Sequence, residues 1–116
     1  MVAMDSGAPL RPDECRALLR AGGIGRVGVS VGALPAIFPV RFRLVDDDIV
    51  FTEPADAATG APLAGTVIAF EADAFDPDHV AGWSVLVVGR VEAAPEPGFT
   101  SVRSERISGL RFGLDR

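Results

Sequence analysis

From Arg26 onward the chain alternates apolar and polar positions with a period of two, the mark of strands with one buried face. In "RVGVSV", Val27, Val29 and Val31 share a face. In "AIFPVRFRL", Phe38, Val40, Phe42 and Leu44 share one face, and Pro39, Arg41 and Arg43 the other. Pro35 and Pro39 each lack a ladder donor, which predicts an edge or bulge there. Gly32-Ala33 predicts a turn, and Asp46 to Asp48 a hairpin turn before a short strand, Ile49 to Phe51. Further strands are expected over Thr66 to Ala72, over Trp83 to Glu92 with a bulge or close backbone approach at Gly89, and in "VRSERISGLRF", interrupted at Gly109. "DAFDPDHVAG" reads as a loop, and one helical turn is expected around Ala57 to Leu63.

Ahead of this run the period is helical. Pro12 suits a first helical position, and Asp13 and Glu14 favour the positive end of the dipole. Cys15, Leu18 and Leu19 then make one apolar stripe, and Gly22-Gly23 ends it. Arg11 is a poor N-cap. One helix and six strands, without repeats or linkers, predict a mainly β, closed or nearly closed barrel as a single domain over residues 11–116. Residues 1–10 are expected to be a flexible tail.

Composition adds two constraints. Apolar residues make up 48% of 116 residues, rich for a domain this small, which implies a subunit interface or a ligand pocket. The net charge of −5 disfavours a nucleic-acid partner. No run approaches the roughly 18 apolar residues of a membrane span. The N-terminus lacks the pattern of a signal peptide, so a cytoplasmic protein is expected. Cys15 is the single cysteine, so no internal disulfide forms.

Several short motifs match by letters and fail by context. Gly23, Gly25 and Gly28 spell G-x-G-x-x-G, but a helix precedes and a strand follows, the reverse of a dinucleotide site. "GVSVG" places Ser30 inside an alternating strand, where a nucleophile elbow needs a strand-to-helix turn. Asp73, Asp76, Asp78 and His79 read as solvated turn residues. His79 is the single histidine and has no partner ligands for zinc, so no metal site is expected.

The order of elements is informative as a whole. A helix carrying "ECRALL" is followed by "GRVGVSVGALPAIFPVRF", "DDDIVF", "GTVIAFEAD", "GWSVLVVGRVE" and "RISGLRF". This run resembles the pyridoxamine 5′-phosphate oxidase-like family of FMN-binding split barrels, in a short actinobacterial-type form. The resemblance covers residues 14 to 92 and the last strand. It implies a six-stranded split barrel that forms a homodimer and holds FMN, or a related flavin or deazaflavin, in clefts between the subunits. By residue it implies cofactor contacts from Val40, Arg41 and Phe42 on one strand, from Phe51, Thr52 and Glu53 at the end of the next, and from Trp83 and Ser84 of the partner copy. It assigns no side chain as catalytic acid or base. The basic C-terminal substrate signature of the true oxidase is absent, so oxidation of pyridoxamine phosphate is not expected.

The stretch "FTEPADAATGAPLAG" departs from that pattern. Relatives carry an Arg after the "VF", then Gly-Thr-Lys, to clamp the flavin phosphate. Here those positions are Thr52, Asp56, Ala57 and Ala58. Two lost hydrogen bonds to a charged group cost about 3–6 kcal/mol, roughly two to four decades of affinity. Two readings follow: a flavin-binding redox protein with other phosphate contacts, or a non-catalytic dimeric split barrel whose cleft holds another ligand or none.

Overall fold

The computed structural model describes residues 7–52, 64–78, 81–94 and 96–113. Its elements are β1 (Ala8–Leu10), α1 (Pro12–Leu19), β2 (Gly23–Val31), β3 (Leu34–Val45), β4 (Asp48–Thr52), β5 (Val67–Asp76), β6 (Ala81–Ala93) and β7 (Phe99–Phe112). The strands run in the order β1-β7-β4-β3-β2-β5-β6, and β6 returns to β7. Six strands, β2 to β7, thus close into the expected barrel with all neighbours antiparallel.

Local chemistry explains the joints. Gly32 and Ala33, then Asp46 and Asp47, all hold positive φ, so both hairpins turn on two left-handed residues, which match strand twist. The helix begins at Pro12, and the Arg11 amide donates to Glu14 Oε1 at 3.0 Å, satisfying one N-terminal donor. Pro35 and Pro39 lie where β3 pairs with β2 alone, because β4 joins β3 only from Phe42 to Val45.

Inward alternation fills the barrel with Val27, Val29, Val40, Phe42, Ile49, Phe51, Ile68, Phe70, Ala72, Val85, Val87, Val91 and Val102, all buried. The Phe42 and Phe70 rings meet edge to face at 4.8 Å. Cys15 and Leu19 seal the core from α1. Burial pushes the Cys15 thiol above its ordinary value.

Three expectations change. Ala8–Leu10 are not tail: they pair with Arg111 to Gly109 and cover the free edge of β7. Asp73 to Asp76 are not loop: β5 continues opposite Ser84 to Ala81. Gly109 does not interrupt β7. It lets α1 approach, since a Cβ there would sit 2.8 Å from Cys15 Sγ. The irregularity is at Gly89, as its sequence context suggests. The register with β7 slips between Val88 and Gly89, and a Cβ at Gly89 would strike the Arg103 carbonyl. The slip leaves Glu105 unpaired and reverses the inward phase of β7, from Thr100 and Val102 before it to Ile107 after it.

Candidate functional site

Outward alternation builds one continuous face across five strands. Ile24, Arg26 and Gly28 of β2 stand opposite Arg41, Pro39 and Ile37 of β3. Glu71 and Ala69 of β5 flank Arg26 and Gly28 on the other side. Leu86 and Val88 of β6 follow, then Ser108 and Arg106 of β7. Large apolar side chains lie open on this face: Ile37 is 76% exposed and Leu86 40%, with Ile24, Val67 and Leu110 similarly uncovered. Isolated exposed apolar residues are ordinary, but a row of them across adjacent strands marks a surface that something covers.

Two of the hollows in it lie against charged side chains. One of about 260 Å³ is lined by Arg26, Gly28, Ile37, Ala69, Phe70 and Glu71. The other, about 530 Å³, runs past Glu71, Ser84, Leu86, Ile107 and Leu110. Glu71 borders both. Glycine at 28 and alanine at 69 keep the floor low and flat. A separate hollow at the opposite end of β3 is lined by Arg20, Leu44, Asp46 and Asp47 and is acidic.

Glu71 is also the hub of the polar groups. Its Oε1 accepts from Arg26 at 2.8 Å and its Oε2 accepts from the Ser84 hydroxyl at 2.9 Å. Asp73 stands 3.6 Å from the same guanidinium. Burial raises the Glu71 carboxyl above its ordinary value, and Asp73 beside it adds to the rise. Ser84 and Arg26 pull it the other way without cancelling it. The result is a half-buried carboxyl, held at both oxygens, in the middle of an apolar surface.

The residues expected from the sequence to contact a cofactor are placed as follows. Val40, Phe42 and Phe51 fill the barrel interior, so toward the outer face they present backbone. Arg41 is exposed on that face, opposite Ile24. Thr52 ends β4, exposed and paired with Phe99. Trp83 packs partly against the core, opposite Ala74 and Arg111. Ser84 is the donor to Glu71. Within one chain Arg41 and Ser84 stand three strand spacings apart, about 14 Å. Glu53, Asp56, Ala57, Ala58, His79 and the expected turn at 57–63 lie outside the described residues. The sequence reading missed Arg26 and Glu71. Arg26 is the single charge of β2 and Glu71 the first charge after an apolar run in β5, and that was the available signal.

Comparison with known proteins agrees with this architecture. The sequence pattern of a family described as Pyridoxamine 5′-phosphate oxidase matches residues 11–101. The uncharacterized protein Rv0080 of Mycobacterium tuberculosis is 37% identical over 90 residues, which is 73% of this chain and 59% of that protein. The chain therefore spans less than two thirds of that relative. The structure of a FAD-binding protein from Mycobacterium smegmatis is similar with a TM-score of 0.79 and 27% identity, over 92% of this chain and 99% of the other. A FAD-binding protein from Mesorhizobium loti also has a TM-score of 0.79, over 94% and 100% of the two chains, at 19% identity, a likeness of fold.

Proposed function

Because the chain belongs to the pyridoxamine 5′-phosphate oxidase family, we propose that it is a flavin-binding redox protein whose cofactor lies on the outer face of the barrel, between two copies of the chain. The observation that carries this reading is the open apolar face around Ile37, Gly28, Ala69 and Leu86, with one hydrogen-bonding cluster at its centre. The similarity to a FAD-binding protein of M. smegmatis along nearly the whole chain supports a flavin.

The donor set fits such a group. A flat heteroaromatic ring is held by apolar contact with a few placed polar atoms. The floor of Gly28 and Ala69, with Ile37 beside it, would hold the ring and exclude water. Glu71 would accept from a ring N–H and orient Ser84. The flavin supplies hydride or electron transfer when bound, and the protein supplies position and electrostatics. A second copy would cover Ile37, Ile24, Leu86 and Leu110, and a stable interface takes about 800 Å² from each partner. The reading does not extend to oxidation of pyridoxamine phosphate, for which the chain lacks the basic signature.

A second reading is a dimeric split barrel that no longer binds flavin. The observation that favours it is Thr52, a neutral residue where relatives carry the first basic clamp residue. The visible spectrum of the purified protein, followed by FMN and FAD titrations with fluorescence and light scattering, separates the two. A yellow protein or saturable quenching is expected, with a mass twice the 12.1 kDa chain. A colourless dimer without saturable quenching at high micromolar flavin would leave the second reading standing.

A further inference from the structure

We infer that Arg41 takes the phosphate of the bound flavin in this chain, and so determines which flavins it accepts. The inference rests on the flavin reading above and names a residue which that reading leaves open. Most arginines of the barrel already have acidic partners. Arg26 is held by Glu71 at 2.8 Å, Arg43 by Glu96 at 2.7 Å, Arg103 by Glu92 at 3.7 Å and Arg90 by Glu105 at 3.8 Å. Arg43 also lies over the Phe99 ring. Arg41 has no ion pair among the described residues, and its cross-strand neighbour on β2 is the apolar Ile24.

Position then separates Arg41 from the other arginines without such a partner. Arg20 lines the acidic hollow with Asp46 and Asp47. Arg106 and Arg111 belong to β7. Arg106 stands opposite Val88 and Arg111 opposite Trp83, both beyond the stretch of β7 that pairs with β4 beside β3. Arg41 lies on β3 itself, four residues or about 13 Å along the strand from Ile37 at the hollow. It also stands where β3 and β4 part company: Phe42 and Phe51 are the last described pair, and Thr52 beyond them pairs only with Phe99. A flavin whose ring covered the hollow at Ile37, with its ribityl chain running along β3, would bring its phosphate to this guanidinium. The planar fork of arginine suits a phosphate, which it engages through two hydrogen bonds.

The test uses the intact protein and three probes: riboflavin, FMN and FAD, titrated by fluorescence quenching. Wild type is expected to bind FMN more tightly than riboflavin. Arg41→Gln should weaken FMN by at least about tenfold and leave riboflavin within about twofold, the loss of one charge-assisted contact. Arg41→Lys should fall between, and Arg106→Gln should match wild type. FAD should follow FMN, since its pyrophosphate offers the same group. Raising salt should weaken FMN and not riboflavin. Thermal melts of each variant check the fold, and Arg41 is exposed, so its loss should not move them. If wild type binds FMN and riboflavin equally, or Arg41→Gln weakens both alike, Arg41 is not the anchor although flavin binding stands. Arg41 is likewise excluded as the anchor if Arg106→Gln abolishes the FMN preference. If wild type binds none of the three, the flavin reading itself fails and takes this inference with it.

Discussion

On β5, Ile68, Phe70 and Ala72 point into the barrel and are buried, while Val67, Ala69, Glu71 and Asp73 of the same strand point outward and are at least partly open. The inner set is apolar throughout and touches other apolar residues. The outer set mixes exposed valine, a small floor residue and two carboxylates. One strand thus serves two surfaces under different rules. The inner surface is selected by packing, where any lost volume costs stability. The outer one tolerates exposed apolar area and a half-buried charge, features that reduce the stability of a lone chain and make sense when a ligand or a second copy covers them.

Substitution on the inner surface should have the largest effect. Phe70→Ala removes a fully buried ring that packs edge to face on Phe42. A loss of about 3–5 kcal/mol is expected, a large share of the stability of a small domain. Denaturant unfolding would show it as a drop in midpoint. A loss below about 1 kcal/mol would mean the barrel interior is not the packed core described above.

Ile37→Glu probes the outer face. Ile37 is 76% exposed, so the stability of the isolated chain should change by no more than about 0.5 kcal/mol. Self-association and flavin quenching should instead fall together, read by light scattering and titration. An unchanged dimer with unchanged flavin binding would remove this face from the proposed site.

The smallest effect concerns Glu71. Its folded-state value lies above the ordinary 4.5, so the folded protein binds more protons than the unfolded chain across that window. Its contribution to stability is therefore full below the ordinary value and lost as pH rises through the folded one. Glu71→Gln lacks this dependence. The melting temperature of wild type relative to the variant should fall as pH rises above the ordinary value of 4.5. A difference that grows with pH would mean Arg26 dominates the site, and that the outer face is less dehydrated than its apolar neighbours imply.

Much of the fold was legible because alternation is local. Val27 and Phe42 could each be grouped with the residues sharing their face from neighbours two residues away. The turn residues at 32–33 and 46–47 carry their own backbone preference. The candidate site was less legible. Val40, Phe42 and Phe51 were named as cofactor contacts, and their side chains fill the interior. Arg26, 45 residues from Glu71, could be joined to it only once β2 and β5 were paired.

Short-range periodicity and residue geometry were enough to set the helix at Pro12, the presence of six strands, the turns at 32–33 and 46–47 and the alternating faces of β2 and β3. Three features depended on the assembled barrel. Ala8–Leu10 became a strand because β7 offered an edge. The inward phase of β7 reversed because Glu105 is extruded opposite Gly89. Arg26, Glu71 and Ser84 became one cluster because strand register brought them to adjacent rows. Each is a matter of pairing between distant segments, where a shift of one residue exchanges the faces, and no local pattern encodes that choice.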